Sequence, residues 1–139
     1  ATTAQVEIRH LVCACTGLPR KDLEWLFSTT AQTPAADTFR QLAATQPTSK
    51  FGEAFQYSNL MASAAGYVAG HVFYPGMELG AAFDKAVADH IWKPLGMADS
   101  TFSFAVAEAG NHATPHATAL DGQTVISSVG SAINRTVAP

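Results

Sequence analysis

Residues 57–73 read YSNLMASAAGYVAGHVF, and this stretch decides the fold. Its apolar side chains recur every three or four residues, the period that places them on one face of a helix. The members of this face are Leu60, Ala64, Tyr67, Val68 and Val72. Ser58 carries the hydroxyl that caps a helix N-terminus, so the pattern predicts one long helix from Ser58 to about Phe73. Gly66 and Gly70 share a face of this helix, which favours the close approach of a neighbouring element.

Three shorter helical patterns precede this helix. They cover residues 6–12, 21–29 and 33–45. The third opens with Thr33 as a candidate cap and Pro34 in the first helical position, where the missing N–H of proline leaves no bond unmade. Residues 46–56 lack a helical period and are expected to form a loop.

A second amphipathic helix and a hairpin follow the central helix. The helix is predicted over residues 78–92, and the hairpin over 117–126 around Asp121-Gly122, a dipeptide that favours tight turns. The tail over 127–139 is small and polar, as a linker or a segment that packs against another part of a protein would be. The expected fold is one mainly α (α+β) domain over residues 1–139, with five or so helices, one short hairpin and no large central sheet.

The composition excludes several classes of partner. The chain has 139 residues, 47% of them hydrophobic, which is enough for one real core. Its net charge is −3 and its basic residues are scattered, so the chain is not expected to bind a nucleic-acid backbone. The longest apolar stretch, residues 60–74, is shorter than the ~20 residues of a membrane span, so no span is expected. Residues 1–5 show no export signal.

The cysteines and histidines predict neither a disulfide nor a metal site. Cys13 and Cys15 lie two residues apart, a spacing that rarely permits disulfide geometry, so both are expected to be reduced and buried. His112 and His116 have the i, i+4 spacing of a helical metal pair, but Pro115 between them argues against a regular helix. No metal and no cofactor are therefore expected.

The sequence contains no recognisable nucleophile. Leu, Pro, Ala or His stands three residues before each of the four lysines, and no Gly-x-Ser-x-Gly sequence occurs. The tripeptide Tyr57-Ser58-Asn59 comes directly before the long helix, which would hold a phenol and an amide rigidly at the helix entrance. Taken alone, this tripeptide favours a packing role, with Tyr57 half-buried and Asn59 beside the cap.

Four segments in the right order resemble one known superfamily. They are residues 6–12 (VEIRHLV), 16–19 (TGLP), 55–60 (FQYSNL) and 94–102 (PLGMADSTF). Together they resemble the serine β-lactamases, penicillin-binding proteins and D-alanyl carboxypeptidases of the class C type. Members of that superfamily usually read His-Thr-Ser-Gly where this chain has Ala14-Cys15-Thr16-Gly17.

The resemblance implies that the chain is the helical lobe of such a hydrolase. The Ser-x-x-Lys nucleophile and the Lys- or His-Thr-Gly strand of the enzyme would lie in an α/β domain outside this sequence, and residues 127–139 would link back to it. Tyr57 would accept or relay the proton of the nucleophile. Asn59 would hydrogen-bond the catalytic lysine and the amide of the substrate, while Ser58 would mainly position the two.

The function implied is that of one part of an enzyme that forms an acyl-enzyme intermediate. The substrate would be a β-lactam, a D-Ala peptide, a D-amino-acid amide or a simple ester, bound between two lobes of which this chain supplies one wall. The isolated chain is expected to be inactive, and the whole enzyme is compatible with a periplasmic or secreted location. A different class of function stays open: a binding or scaffold module that keeps the helical fold without catalysis.

Overall fold

The secondary structure confirms a mainly α chain with one short hairpin. The computed structural model describes residues 3–127, without the side chains at positions 3, 25 and 26, so most of the predicted linker over 127–139 lies outside the described residues. After a 3₁₀ turn at Thr3–Gln5, the described elements are α1 (Ile8–Val12), α2 (Asp22–Ser28), α3 (Asp37–Ala44), α4 (Asn59–Phe73), α5 (Leu79–Val87), α6 (Phe104–Ala109), β1 (His116–Thr118) and β2 (Thr124–Ile126). None of these helices is long and apolar enough to cross a membrane.

Helix α4 forms the centre of the core, and the long helix predicted from Ser58 to about Phe73 is confirmed. It begins one residue after Ser58, whose Oγ accepts a hydrogen bond from the Met61 N–H over 3.3 Å. Its buried residues are Leu60, Met61, Ser63, Ala64, Ala65, Tyr67 and Gly70. The ring of Tyr67 meets the ring of Phe83 in α5 edge-on, with the centroids 6.0 Å apart. Because α4 is capped and packs in the core, the residues at its N-terminus are held in place.

Helix α5 packs closely against α4. The side chain of Glu78 caps α5 by accepting a hydrogen bond from the Ala81 N–H over 3.0 Å. A Cβ added at Gly70 would lie only 2.6 Å from the backbone nitrogen of Phe83. The prediction that a glycine of this face permits close approach is therefore confirmed for Gly70.

The end of the predicted helix over 78–92 departs from α geometry. Ala88–Trp92 form a π turn, and the Lys93 N–H then donates to the Ala88 carbonyl over 3.0 Å. Gly96 has a φ of 68°, in the left-handed region that glycine adopts readily, and there the chain turns away. The predicted end at residue 92 is confirmed, whereas the π turn was not indicated by the apolar spacing.

Two predicted helix starts are too early. Helix α3 begins at Asp37 and not at Thr33, because the Thr33 Oγ1 accepts a hydrogen bond from the Thr30 N–H over 2.9 Å and so closes the preceding turn. The Asp37 N–H then donates to the Pro34 carbonyl over 2.9 Å, which makes a separate turn before the helix. Helix α1 likewise begins at Ile8, two residues later than expected.

The C-terminal part contains the predicted hairpin and a helix that the apolar pattern did not indicate. Strands β1 and β2 pair antiparallel, with Thr118 opposite Thr124, and Gly122 in their turn has a φ of 83°. Helix α6 depends on a local cap, since the Ser103 Oγ accepts a hydrogen bond from the Val106 N–H over 3.3 Å.

The cysteines are paired, so the expectation that both are reduced is wrong. A disulfide joins Cys13 and Cys15, whose Cα atoms lie 5.5 Å apart, within the usual range for disulfides. Ala14 between them has a φ of 53°. This left-handed residue turns the chain so that the two flanking side chains meet, which the spacing alone could not reveal.

Candidate active site

Tyr57 and Asn59 flank the cap of α4 and share one side of the chain. Ser58 between them is extended, with φ −149° and ψ 114°, and successive side chains of an extended backbone point in opposite directions. Ser58 is buried in the cap, whereas Tyr57 is 53% exposed and Asn59 is half-buried. Because of this alternation, the side chain of Ser58 caps the helix, whereas the side chains of Tyr57 and Asn59 lie on the other side of the chain.

A carboxylate from α2 holds Asn59. The Nδ2 of Asn59 donates to the Oδ1 of Asp22 over 3.1 Å, and the side chain of Asp22 is only 16% exposed. Because Asn59 is the first residue of α4, this carboxylate lies near the helix N-terminus, where the helix dipole favours a negative charge.

Arg20 links this carboxylate to Tyr57. Its Nε donates to the Oδ2 of Asp22, and its Cζ lies 5.2 Å from the centroid of the Tyr57 ring. A guanidinium at this distance is attracted to the negative face of the ring. Tyr57, Arg20, Asp22 and Asn59 therefore form one connected group, named the motif cluster below.

Hydrogen bonds fasten the chain before Arg20 to the loop before Tyr57. The Gln56 N–H donates to the Ala14 carbonyl over 2.8 Å, and the Gln56 Nε2 donates to the Gly17 carbonyl over 3.3 Å. Gly17 has a φ of 83°, and a Cβ there would lie 2.3 Å from the Ser49 carbonyl oxygen. Only glycine combines this backbone angle with this approach, so Gly17 helps to bring the two halves of the motif cluster together.

An open groove borders the motif cluster. It has a volume of about 500 Å³ and is lined by Arg20, Asp22, Leu23 and Glu24. Leu23 is 68% exposed, so the groove combines an apolar wall with charged ones. Three of its four lining residues are charged, unlike the mainly apolar walls of a typical small-ligand pocket.

Sequence reasoning did not single out Arg20 or Asp22. Asp22 and Asn59 are 37 residues apart in the chain, and no periodic pattern connects them. The one local signal is that Arg20 and Asp22 come soon after residues 16–19, one of the segments that resemble the superfamily. Their contact with the tripeptide is a product of the tertiary fold.

A second polar cluster lies at the other end of α4. The Tyr74 hydroxyl donates to the Oδ2 of Asp89 over 2.7 Å, the Lys85 Nζ lies 2.6 Å from the same oxygen, and the Lys93 Nζ contacts Oδ1. The hydrogen bonds from Lys85, Lys93 and Tyr74 hold the pKa of Asp89 well below its ordinary value, and the bond to Asp89 raises the pKa of Tyr74. A helix the length of α4 separates this cluster from Tyr57 by roughly 20 Å, so it serves to tie α4 to the π turn.

The histidines that were considered as a metal pair contact their own backbone. The His112 Nδ1 lies 3.0 Å from the Gly110 carbonyl oxygen, and the His116 Nδ1 lies 2.8 Å from that of Thr114. His116 begins β1, so the two do not share a helix. Across residues 3–127, no group of three or more His, Cys, Asp or Glu residues is arranged to hold a metal ion.

The motif cluster can orient a ligand and move a proton. The phenol of Tyr57 can accept or donate a proton, and the amide of Asn59 offers a donor and an acceptor without titrating. Ser58, the hydroxyl between them, is buried and accepts the Met61 N–H, so it is not placed to attack a substrate. The cluster therefore offers a ligand one hydroxyl that can exchange a proton and one amide that does not titrate.

Comparison with known protein families found a match. The family model described as Beta-lactamase matches residues 1–133. No curated protein and no solved structure matches the chain. The family match spans the motif cluster, α1 to α6 and the hairpin, which is nearly all of the 139 residues. The chain belongs to the Beta-lactamase family.

Proposed function

We propose that the chain is the helical part of a class C type serine hydrolase and that it contributes Tyr57 and Asn59 to acyl-enzyme chemistry. The observation that carries this proposal is the exposed phenol of Tyr57 beside the oriented amide of Asn59, both at the entrance of a capped and buried helix. Membership of the Beta-lactamase family supports the class of reaction. The substrates proposed are β-lactams, D-Ala peptides, D-amino-acid amides or simple esters.

In the proposed reaction, a serine hydroxyl attacks the carbonyl carbon of the substrate and becomes esterified by its acyl group. Tyr57 takes the proton of the serine and delivers it to the leaving group. Because the ordinary pKa of a tyrosine is ~10, a tyrosine acts as a base near neutrality only beside a fixed positive charge. The lysine of a Ser-x-x-Lys element would supply that charge, and Asn59 would hydrogen-bond that lysine and the amide of the substrate.

The nucleophile would come from an α/β domain joined to this chain. The 139 residues contain no Ser-x-x-Lys sequence, and the proposal therefore assigns the serine to another segment. Phe27 and Phe55 are 84% and 71% exposed, and the proposal places them against that domain. Residues 127–139 would lead back to that domain.

Tyr57→Phe in the full-length protein tests the assignment. This change keeps the ring that packs under Arg20 and removes only the hydroxyl, so the melting temperature should change little. The acylation rate should fall by ~10²-fold or more, the usual scale for the loss of a positioned acid or base.

Tyr74→Phe is the matched control, because it removes one hydroxyl from the opposite end of α4. That hydroxyl donates to Asp89, so its loss should lower the melting temperature and leave acylation nearly unchanged. If Tyr57→Phe behaves in the same way as Tyr74→Phe, then Tyr57 is scaffold and the chain fits a binding or scaffold module better than an enzyme part.

A further inference from the structure

The carboxylate of Asp22 contacts both arms of the motif cluster. One arm is Asn59, and the other is Arg20 with the Tyr57 ring. Its Oδ1 accepts the Nδ2 of Asn59 over 3.1 Å, and its Oδ2 accepts the Nε of Arg20. The side chain of Asp22 is only 16% exposed, whereas that of Arg20 is 63% exposed. Water therefore competes weakly for the bond to Asn59 and more strongly for the ion pair, and hydrogen bonds with a charged partner are stronger than neutral ones. Removal of this one carboxylate would release both arms.

The carboxylate fixes which way the Asn59 amide faces. An ionised carboxylate only accepts hydrogen bonds, so the nitrogen end of the amide must face Asp22, and a flipped amide would set two oxygens against each other. The Oδ1 of Asn59 is therefore directed to the other side of the amide. An amide oxygen in this place suits a nitrogen donor, such as an ammonium group or the N–H of a substrate.

The same carboxylate holds Arg20 on the Tyr57 ring. An arginine side chain has many rotamers, and the ion pair with Asp22 selects one that lays the guanidinium over the ring face at 5.2 Å. A ring covered on one face has less freedom to turn. Contact with Arg20 therefore favours one orientation of the Tyr57 ring.

We propose that Asp22 is a positioning residue for the Tyr57 and Asn59 pair. It acts through Asn59 and Arg20 and does not touch the substrate. This role rests on the proposed function, because it belongs to the same reaction. Loss of the positioning should lower kcat more than it raises KM, since the geometry of the reacting groups is disturbed while much of the binding surface remains.

Four variants distinguish the loss of the Asp22 contacts from a general effect of removing a negative charge. Asp22→Ala removes both bonds, whereas Asp22→Asn keeps the shape and an oxygen that can accept the Asn59 N–H but loses the ion pair with Arg20. Glu24→Ala and Glu24→Gln are the matched controls. Glu24 lies in the same helix and pairs with Lys21 over 2.7 Å, outside the motif cluster.

The first measurement is the exchange of the Asn59 side-chain amide protons with water, followed by NMR in the 139-residue chain and assigned by their loss in Asn59→Ser. In Asp22→Ala this exchange should speed up on the order of 10-fold, the scale of a lost hydrogen bond to a charged group. Asp22→Asn should show a smaller rise, and the two Glu24 variants should match the unaltered chain. Circular dichroism checks the fold, and the isosteric Asp22→Asn decides the matter if Asp22→Ala does not fold.

The second measurement is hydrolysis by the full-length protein. In Asp22→Ala kcat should fall roughly 10-fold with KM within about twofold, and Asp22→Asn should recover part of kcat. If Asn59 exchange or kcat responds no more to Asp22→Ala than to Glu24→Ala, Asp22 is not a positioning residue. If Asn59 exchange responds but Tyr57→Phe leaves hydrolysis intact, the contact is right, and what fails is the proposed function together with the role of Asp22 in it.

Discussion

Gly70 sets how closely the two central helices approach each other. In Gly70→Ala, the higher helix propensity of alanine would stabilise α4 by up to about 1 kcal/mol. The new Cβ would lie 2.6 Å from the Phe83 nitrogen and 2.7 Å from its Cα, and backbone atoms inside a helix cannot give way as a side chain can. Steric repulsion should therefore win, and urea denaturation should show a free energy of unfolding lower by about 1–3 kcal/mol.

Gly110→Ala is the control for this prediction. Gly110 ends α6, and the atom nearest to an added Cβ is the Ala107 carbonyl oxygen at 3.7 Å, an ordinary contact. Its free energy of unfolding should change by less than about 0.5 kcal/mol. Equal effects of the two substitutions would show that α4 and α5 are not packed as closely as described here.

Single residues with local partners were predictable, and those with distant partners were not. Ser58 was identified as the cap of α4 because its partner, the Met61 N–H, is three residues away. Thr33 looked like a similar cap, but its hydroxyl bonds backward to Thr30, a choice that composition does not decide. The disulfide depends on the left-handed φ of Ala14, an angle that few non-glycine residues adopt.

Among the elements, α4, α5 and the hairpin followed from the sequence because each has a regular apolar period or a turn dipeptide of its own. Helix α6 has only six residues, too few to show a period. The contact between α2 and the entrance of α4 joins Asp22 to Asn59 across 37 residues. The tripeptide half of the motif cluster was therefore predicted, and its charged half was not.

The cluster around Asp89 makes the junction of α4 with the π turn sensitive to acid. Hydrogen bonds from Lys85, Lys93 and Tyr74 keep the pKa of Asp89 in the folded chain below its unfolded value, which is about 3.9 for an aspartate. The stability that Asp89 contributes is therefore fully present above that unfolded value and is lost as the pH falls through the folded pKa. The melting temperature should decline as the pH is lowered from about 5 to about 2.

Asp89→Asn should be less stable than the unaltered chain at pH 7, and the gap should narrow as the pH falls, because protonation removes the same charge that the substitution removes. Asp99→Asn, at an exposed aspartate in the turn after Met97, serves as the control and should show a small gap at every pH. A gap for Asp89→Asn that is as wide at low pH as at pH 7 would mean that the lysine contacts do not stabilise the fold.

At the scale of the whole molecule, the proposed function makes the chain one half of a site. The motif cluster offers a phenol and an oriented amide, while the only hydroxyl between them caps a helix. Leu23, Phe27 and Phe55 expose apolar surface in the segments that carry or adjoin the cluster. These features are what we expect of a lobe that closes over a nucleophile carried by another domain.

The position of the acylated residue tests this division of labour most directly. The full-length protein would be incubated with benzylpenicillin or a serine-directed phosphonate and digested, and the adduct would be located by mass spectrometry, with the isolated 139-residue chain treated in parallel. We predict an adduct on a serine outside these residues, and neither an adduct nor turnover of a chromogenic cephalosporin for the isolated chain, because its sequence contains neither a Ser-x-x-Lys nor a Gly-x-Ser-x-Gly motif. A stoichiometric adduct on a Ser or Cys of this chain would contradict the account.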